Sequence, residues 1–367
     1  MSDFSQFNLP PSLAKNLAAI NFTVPTPIQQ QAIPAGLAGR DVRGMAQTGT
    51  GKTAAFVIPM LVRLNAQPHQ GGLILAPTRE LAMQIHAFIK QLSGKNFNLH
   101  PTLVIGGASM NQQARELRDG ARVIVATPGR LVDHCNRFPK LLSRSSIVVF
   151  DEADRMLDMG FMPQIRMLIK GLPKVRQTMM FSATFPPEIC KLAAEMLKDP
   201  AQVAVGDGVA RVVQAIDQAV VRTTQKEKNG VLIDELNARQ GPVLIFTRTK
   251  HRTDRLSRFL ASYGYNVTLI HGDRSLSQRK EAIEGFRKGR FRILVATDIA
   301  SRGLDIDGIA HVINYDLPQV PEDYIHRVGR TARNGKSGQA LALLTPEDKK
   351  MWFAIQRVSN AGPGARV

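Results

Sequence analysis

Short β-rich runs alternate with longer helical segments along most of this chain, and this alternation restricts the possible folds more than any other feature of the sequence. Such alternation is typical of a parallel sheet covered by helices on both faces. In the first half of the chain the runs lie at 41–45, 73–77, 102–106, 122–127, 147–151 and 177–182. In the second half they lie at 219–222, 243–247, 267–271, 292–297, 311–315 and 339–344. The sequence therefore predicts two α/β units in tandem.

The alternation lapses in the segment that begins at Gly206, where a linker between two domains is expected. A chain of 367 residues with 44% hydrophobic content is also longer than one core usually serves. We therefore predict a first domain at 1–205, a linker at 206–213 and a second domain at 214–367. In parallel sheets ligands bind at the carboxyl ends of the strands, so the functional residues are expected where the predicted strands end.

The stretch from Ala46 to Thr53 has the pattern of a phosphate-binding loop. Gly49 and Gly51 permit backbone angles at which successive N–H groups turn toward an anion, at the point where a helix begins. Lys52 adds a charge for the outer phosphates, and the Thr53 hydroxyl can bind Mg²⁺. Ala46 stands where the pattern usually has its first glycine. The alternative is a glycine-rich turn before a helix, and the short strand and apolar helical start on either side of the loop argue against it.

Two carboxylates, Asp151 and Glu152, come at the end of the run at 147–151. At a strand end adjacent side chains point to different sides, so one carboxylate can hold Mg²⁺ while its neighbour orients or deprotonates an attacking water. The alternative is an acidic helix N-terminus stabilised by the helix dipole. Because this pair follows a strand in a chain with a phosphate-binding loop, we favour a nucleotide-hydrolysing site.

Gln29 and a cationic segment near the C-terminus each allow two interpretations. Gln29 follows a Pro-fixed turn and is either a surface glutamine or an amide that pairs with the adenine edge, since it offers a donor and an acceptor together. The cationic segment is either a solvated face or, through spacings of one, three and three, a row of charges on one helical side that meets a triphosphate. Its members are His326, Arg327, Arg330 and Arg333.

The charge balance of the chain points to an acidic partner. The net charge of +18 and the pI near 10.3 favour nucleic acid first and an anionic membrane surface second. The sequence has no apolar run of membrane-spanning length and no charged-then-apolar leader, so a soluble cytoplasmic protein without a membrane partner is expected. Cys135 and Cys190 lack a Cys-x-x-Cys spacing, so we expect small buried residues and neither a disulfide nor a metal site.

Together the motifs resemble those of the DEAD-box family of ATP-dependent RNA helicases, and the two-domain layout is similar to the bacterial RhlE-like branch of that family. The resemblance covers nearly the whole chain. Its motifs are, in order, Phe4 with 25–29, then 46–53, 77–82, 106–107, 127–130, 151–154, 182–184, 243–249, 271–273, 296–305 and 326–333. Agreement in this many motifs, in the same order, is not expected by chance.

This resemblance implies two tandem RecA-like domains that unwind short RNA duplexes by RNA-stimulated ATP hydrolysis, with domain closure and strand bending. ATP and Mg²⁺ are the implied ligands. Phe4 would stack on adenine and Gln29 would read its edge. Thr53 and Asp151 would serve Mg²⁺, Asp151 through water, and Glu152 would position the attacking water. The nucleotide would also contact the loop residues Thr48, Gly49, Thr50, Gly51, Lys52 and Thr53.

The resemblance further assigns residues to coupling and to RNA. Ser182 and Thr184 would couple hydrolysis to duplex opening, and Asp305 would approach the ribose. The residues that would act at the γ-phosphate from the second domain are His326, Arg330 and Arg333. The RNA path would be lined, chiefly through contacts to backbone phosphate and sugar, by Arg79, Gly107, Thr127, Arg130, Thr247, Thr249 and Thr297.

The chain departs from the family pattern at two positions. Asn21 occupies a place where the adenine-reading motif usually has glycine, and asparagine tolerates the same left-handed backbone angles. Leu276 stands where the family commonly has glutamine, so a polar contact from that position is missing. The neighbouring Arg279 matches and stays a candidate contact of the second domain.

Three alternatives from other functional classes stay open. They are a DNA helicase or translocase of related build, an ATP-dependent RNA clamp that does not unwind, and a basic ligand-binding protein without ATPase activity. The expected partner is RNA, bound largely without regard to sequence, by a monomer. Ribonucleoprotein or RNA-decay proteins are further candidate partners.

Overall fold

The computed structural model describes residues 3–46, 49–94, 97, 99–205, 216–301, 308–331 and 338–359. The chain divides into two compact units, Met1–Gly206 (unit 1) and Asp207–Val367 (unit 2). The predicted linker at 206–213 lies outside the described residues, so the predicted domain boundaries stay a prediction. None of the helices in the described ranges has the length and apolar character that crossing a lipid bilayer requires.

Unit 1 is built on a seven-stranded sheet in which all neighbouring strands are parallel. Its strands are β1 (Val42–Met45), β2 (Gly71–Leu75), β3 (Pro101–Val104), β4 (Val123–Ala126), β5 (Ser145–Asp151), β6 (Gln177–Ser182) and β7 (Ala201–Ala204). Their order across the sheet is β3-β4-β2-β5-β6-β1-β7. β1 to β6 match the predicted runs, whereas β7, a short edge strand, was not predicted.

Helices cover both faces of this sheet. They are α1 (Pro11–Ala19), α2 (Pro27–Leu37), α3 (Lys52–Ala66), α4 (Arg79–Ser93), α5 (Met110–Arg118), α6 (Pro128–Arg137), α7 (Ala153–Asp158), α8 (Met162–Ile169) and α9 (Pro187–Met196), preceded by a 3-10 turn at Phe4–Phe7. Leu131, Ile165 and Ile189 of α6, α8 and α9 pack on one face. On the other face Phe181 packs against Phe56 of α3, with 5.5 Å between ring centroids.

Unit 2 repeats this plan with a six-stranded parallel sheet. Its strands are β8 (Ile216–Arg222), β9 (Val243–Phe246), β10 (Val267–Ile270), β11 (Ile293–Ala296), β12 (His311–Asn314) and β13 (Gly338–Leu344), in the order β10-β11-β9-β12-β13-β8. Its helices are α10 (Lys228–Asn237), α11 (Lys250–Ser262), α12 (Leu276–Arg287), α13 (Asp298–Ser301), α14 (Pro321–Val328) and α15 (Lys349–Ser359), with a 3-10 turn at Pro346–Asp348. The predicted fold class, two tandem parallel α/β units, is confirmed.

A buried ion pair lies at the carboxyl edge of the unit 2 sheet. Lys228, the first residue of α10, has its Nζ 3.6 Å from Oδ1 of Asp316, which follows β12, and both side chains are 2% exposed. Burial lowers the pKa of Lys228, and the Asp316 charge opposes that shift. Asp316 also pairs with Arg252 of α11 at 3.3 Å. The charge of Lys228 is therefore satisfied within the chain.

The strand order of unit 1 separates two groups of strand ends. β5, β6 and β1 are neighbours, and Ser182 at the end of β6 pairs in register with Met45 at the end of β1. The phosphate loop, the acid pair and Ser182 therefore emerge side by side. β3, β4 and β2 form the other half of the same edge. The loops after β2, β3 and β4, with the first turns of α4 and α6, carry the predicted RNA-binding residues Arg79, Gly107, Thr127 and Arg130.

Candidate nucleotide site and RNA-contact loops

The loop between β1 and α3 has the geometry that its glycines predict. Gly49 and Gly51 both adopt positive φ angles, 84° and 90°. A Cβ at Gly51 would also collide with the amide nitrogen of Gln29. Both the backbone angle and the lack of space for a side chain therefore favour glycine at this position. Lys52 is 6% exposed and donates from Nζ to the Ala46 carbonyl oxygen at 2.9 Å. The lysine is thus held at the loop, while Thr48 lies outside the described residues.

Asp151 and Glu152 lie at the end of β5 in an environment unusual for carboxylates. Asp151 is 2% exposed, and its Oδ1 has no hydrogen-bond partner among the described residues. Burial raises its pKa to about 7, Lys52 opposes the shift and Glu152 adds to it. Such a carboxylate favours a cation, and with the Thr53 hydroxyl it offers the oxygen ligands that Mg²⁺ prefers.

Glu152 adopts a left-handed backbone conformation, with φ 53° and ψ 55°. This region is uncommon for residues other than glycine, asparagine and aspartate. Glu152 is the residue that precedes α7 and is 5% exposed. The strained backbone therefore marks Glu152 as a candidate functional residue.

Asp154 ties the acid pair to the Ser182–Thr184 segment. Its backbone N–H donates to Ser182 Oγ at 3.0 Å, and its Oδ2 accepts from both the N–H and the hydroxyl of Thr184 at 2.9 Å. Burial acts to raise the pKa of Asp154, but the charges of Arg155 and Lys52 and the bond from Thr184 hold it below its ordinary value. Asp154 had no predicted role, and its place beside Asp151 and Glu152 is the signal in the sequence that points to one.

The two predicted adenine contacts are buried in the described chain. Phe4 packs against Phe7 and Phe22, with ring centroids 5.8 Å and 6.3 Å away. Gln29 is 1% exposed; its Oε1 accepts from the Thr26 N–H at 2.9 Å, and its Nε2 donates to the Gly51 carbonyl oxygen at 3.0 Å. An amide can make one further bond at each end. Gln29 therefore joins the α2 turn to the phosphate loop and keeps capacity for a ligand.

The four predicted RNA-binding residues of unit 1 come together around one loop. Gly107 has φ 83°, and a Cβ there would lie 2.8 Å from Nη1 of Arg79. Arg130 donates from Nε to the Ile105 carbonyl oxygen at 3.2 Å and from Nη2 to the Ala108 carbonyl oxygen at 3.0 Å. Thr127 is the N-cap residue of α6, and its N–H donates to the Val104 carbonyl oxygen at 3.1 Å. Two guanidinium groups therefore flank an exposed glycine loop.

In unit 2 the predicted RNA-binding residues differ in accessibility. Thr249 is exposed and its side chain accepts from the Arg252 N–H at the start of α11. Thr297 is half-buried directly after β11. Thr247 is fully buried and its hydroxyl lies 2.7 Å from that of Thr253. The Thr247 hydroxyl therefore helps to anchor α11, and its place on the RNA path stays a prediction.

Up to Thr331, the last residue of the segment that the structure describes, the cationic segment does not form one helical face. α14 ends at Val328, so Arg330 lies beyond the helix. Arg327 is 2% exposed and binds both carboxylate oxygens of Asp298, at 2.6 Å and 2.7 Å. Arg330 is also buried, at 6% exposure, whereas His326 is half-buried. The predicted row of charges is wrong because Gly329 follows the helix and Arg327 turns inward to Asp298.

The remaining predicted contacts have different outcomes. Asp305 and Arg333 lie outside the described residues. Arg279 of α12 is buried, at 6% exposure. His271, in the segment at 271–273, is 3.1 Å from Asp254 of α11. That segment therefore packs against the helix that Thr249 begins.

Comparison with known proteins identifies the family. Residues 26–192 match the family model for the DEAD/DEAH box helicase, and residues 227–335 match that for the helicase conserved C-terminal domain. The chain is 42% identical to the DEAD-box ATP-dependent RNA helicase CshA of Bacillus subtilis, over 97% of this chain and 72% of CshA. It is 41% identical to the ATP-dependent RNA helicase DBP2 of Candida albicans, over 96% of this chain and 64% of DBP2.

Solved structures agree with this assignment. S. cerevisiae Dbp5 bound to RNA and ADP BeF3 is 32% identical and superposes with a TM-score of 0.87 over 100% of this chain and 96% of Dbp5. Mss116p bound to ssRNA and AMP-PNP is 26% identical, with a TM-score of 0.88 over 99% of this chain and 78% of that one. From both sequence and fold, the chain belongs to the DEAD-box family of ATP-dependent RNA helicases.

Proposed function

We propose that this helicase opens short RNA duplexes in a cycle in which ATP and RNA together close the two units and bend one strand. The observation that carries the proposal is the pair of bonds from Thr184 to Asp154, with Ser182 bonded to the same residue. A change at the acid pair when ATP is hydrolysed would move this segment directly. These hydrogen bonds would allow ATP hydrolysis to change the affinity of the enzyme for RNA.

On the nucleotide side the residues have distinct tasks. Phe4 would stack on adenine, Gln29 would read its edge, and the loop from Thr48 to Thr53 would hold the phosphates. Thr53 and Asp151 would hold Mg²⁺, which when bound supplies positive charge to the phosphate oxygens. Glu152, held in its left-handed turn, would orient the attacking water.

From unit 2, Asp305 would approach the ribose. His326, Arg330 and Arg333 would act at the γ-phosphate in the closed state. A guanidinium that arrives only in that state stabilises the transition state more than the ground state. Closure would then make hydrolysis depend on RNA.

The RNA path would run over the loops and first helical turns that carry Arg79, Gly107, Thr127 and Arg130 in unit 1 and Thr247, Thr249 and Thr297 in unit 2. Such loops contact phosphate, sugar and 2′-OH groups, which makes binding independent of sequence and selects RNA over DNA. Bending the strand into a shape that duplex RNA does not adopt would expel its complement. Hydrolysis then removes the bridge between the units and releases the strand.

The decisive experiment measures ATPase activity with structured RNA, with the matching DNA and without nucleic acid, followed by strand displacement with the chain alone. We expect stimulation by RNA well above that by DNA, and displacement of a short duplex. Equal stimulation by DNA would favour a DNA helicase. RNA-stimulated turnover without displacement would favour an RNA clamp, and absent turnover would favour a binding protein.

Several finer assignments belong to the same proposal. The two-domain layout supports the bacterial RhlE-like branch, with domains at 1–205 and 214–367 and a linker at 206–213. We propose a cytoplasmic monomer whose further partners are ribonucleoprotein or RNA-decay proteins. Sedimentation of the purified chain tests the oligomeric state.

RNA binding should weaken steeply with salt. The chain carries a net charge of +18, and each neutralised phosphate of a single strand releases about 0.7 counterion. Raising the salt concentration about fourfold should therefore lower the RNA affinity by roughly tenfold or more. Fluorescence anisotropy with strands of unrelated sequence measures this slope. A flat response, or strong preference for one sequence, would contradict a path that reads the backbone.

Gln29→Glu should weaken the preference for ATP over GTP. The carboxylate can still accept from the Thr26 N–H, but it cannot donate to Gly51 or to an adenine nitrogen. Loss of one specific hydrogen bond is worth about tenfold in discrimination. The measurement is kcat/KM for both nucleotides at saturating RNA, with Gln30→Ala on the same helix as control. If the parent chain already uses GTP as well as ATP, Gln29 does not read the base.

A further inference from the structure

A buried pair of side chains, Gln113 and His134, lies next to the Gly106–Gly107 loop and has no role in the proposed cycle. Gln113 of α5 is 4% exposed and donates from Nε2 to the Ile105 carbonyl oxygen at 2.9 Å. Its Oε1 lies 3.2 Å from Nε2 of His134 in α6, which is 0% exposed. Because an amide oxygen can only accept, Nε2 of His134 must carry the proton in this bond.

The surroundings of His134 favour the neutral ring that this bond requires. Burial, followed by the charges of Arg130 and Arg137, lowers the pKa of His134, while Asp133 acts in the opposite direction. Its Nδ1 makes no hydrogen bond within the described part of the chain, so a second ring proton would be buried without an acceptor. A neutral His134 with an Nε2 proton fixes the amide of Gln113 in one orientation.

The carbonyl of Ile105 accepts from two donors, Gln113 at 2.9 Å and Nε of Arg130 at 3.2 Å. The two donors differ in how far their side chains can move, because Gln113 is buried whereas Arg130 is half-buried. When the Arg130 guanidinium turns toward an RNA phosphate it gives up at least part of its hold on the loop. The bond from Gln113 does not depend on that movement.

We propose that Gln113, oriented by His134, is a positioning residue for RNA binding. It holds the Ile105 carbonyl so that the Gly106–Gly107 loop keeps its shape while Arg130 binds phosphate. The inference rests on the proposed function, since it takes this loop and Arg130 to lie on the RNA path. This positioning role needs a side chain that donates one hydrogen bond to the Ile105 carbonyl oxygen and accepts another from the His134 imidazole. The buried amide of Gln113 makes both bonds.

The test compares Gln113→Met with Gln112→Met, the same substitution at the preceding, exposed position of α5. For Gln113→Met, the RNA concentration that gives half-maximal ATPase stimulation should rise by about tenfold, because a buried carbonyl loses its fixed donor. Turnover at saturating RNA should change by no more than about twofold, since the loop acts on RNA binding rather than on hydrolysis. Gln112→Met should change neither quantity.

Two further variants complete the test. His134→Leu leaves Gln113 in place without its orienting partner, so a smaller rise of about threefold is expected, and this variant serves if Gln113→Met does not fold. Arg130→Ala removes a phosphate contact and should lower the slope of log affinity against log salt by about 0.7, whereas Gln113→Met should leave that slope unchanged.

The outcomes separate the two levels of the proposal. If Arg130→Ala leaves both RNA affinity and the salt slope unchanged, the proposed RNA path is wrong at this loop. If Arg130→Ala behaves as expected but Gln113→Met and His134→Leu match Gln112→Met, only the positioning role of Gln113 is wrong. A rise for Gln113→Met with an unchanged slope supports it.

Discussion

Lys52→Ala is expected to lower kcat/KM for ATP by at least about 10²-fold, because the loop loses the cation that faces the outer phosphates. Lys52 is buried at 6% exposure and is already held at the loop by its bond to the Ala46 carbonyl oxygen at 2.9 Å. A preorganised charge of this kind needs little rearrangement when the nucleotide binds. Lys52→Ala should therefore lower both the ATP affinity and the turnover.

The measurement is ATP affinity together with RNA-stimulated phosphate release for the same preparation. Lys15→Ala, an exposed lysine on α1, is the matched control and should behave like the parent chain. Melting temperature shows whether Lys52→Ala folds normally. Unchanged turnover in a folded Lys52→Ala variant would overturn the assignment of the phosphate loop.

Arg330→Ala should reduce RNA-stimulated turnover by about 10³-fold while ATP affinity without RNA changes little. In the proposed cycle Lys52 and the loop would hold the phosphates, so a guanidinium from unit 2 would be needed only as charge spreads over the γ-phosphoryl oxygens. Arg330→Lys should rescue poorly, since a point charge on a flexible stem does not reproduce a planar fork. Turnover is compared per folded molecule, because Arg330 is buried and its loss also affects stability.

Arg327→Ala provides the contrast for this experiment. Arg327 forms a two-pronged ion pair with Asp298, whose side chain is 22% exposed. Removal of one partner of a fully buried pair costs about 3–5 kcal/mol of folding free energy, which is an upper bound for this pair. We therefore expect Arg327→Ala to lower the melting temperature strongly. If Arg330→Ala instead shows that same pattern, a lowered melting temperature with normal turnover, Arg330 is a structural residue and not an arginine finger.

The repeating α/β pattern was predictable because the strands are apolar and parallel. Strands such as β4 are buried along their whole length and therefore appear as continuous apolar runs. β7 was missed because its alternate residues are exposed and its four residues carry little signal. The loop at Gly49 and Gly51 was predictable for a different reason, since glycine spacing encodes backbone angles directly.

Other parts of the site depend on contacts that no local pattern encodes. Thr247 and Thr249 look equivalent in sequence, yet one hydroxyl is buried against Thr253 and the other is exposed. Asp154 meets Thr184 only because β5 and β6 are neighbours in the sheet. Arg327 finds Asp298 across 29 residues of chain. Tertiary packing decided each of these roles.

The common strand order of the two sheets allows β1 to β6 of unit 1 to be matched with the strands of unit 2. β1 and β5 of unit 1 occupy the same places in their sheet as β8 and β12 of unit 2. By this correspondence Lys228, which begins α10, is the counterpart of Lys52, which begins α3, and Asp316 takes the place of the acids after β5. Lys228 has the Asp316 carboxylate 3.6 Å from its Nζ, whereas the Nζ of Lys52 donates to a backbone carbonyl oxygen at the phosphate loop. In unit 2 an internal counterion thus lies at the lysine that corresponds to the phosphate-binding lysine expected in unit 1.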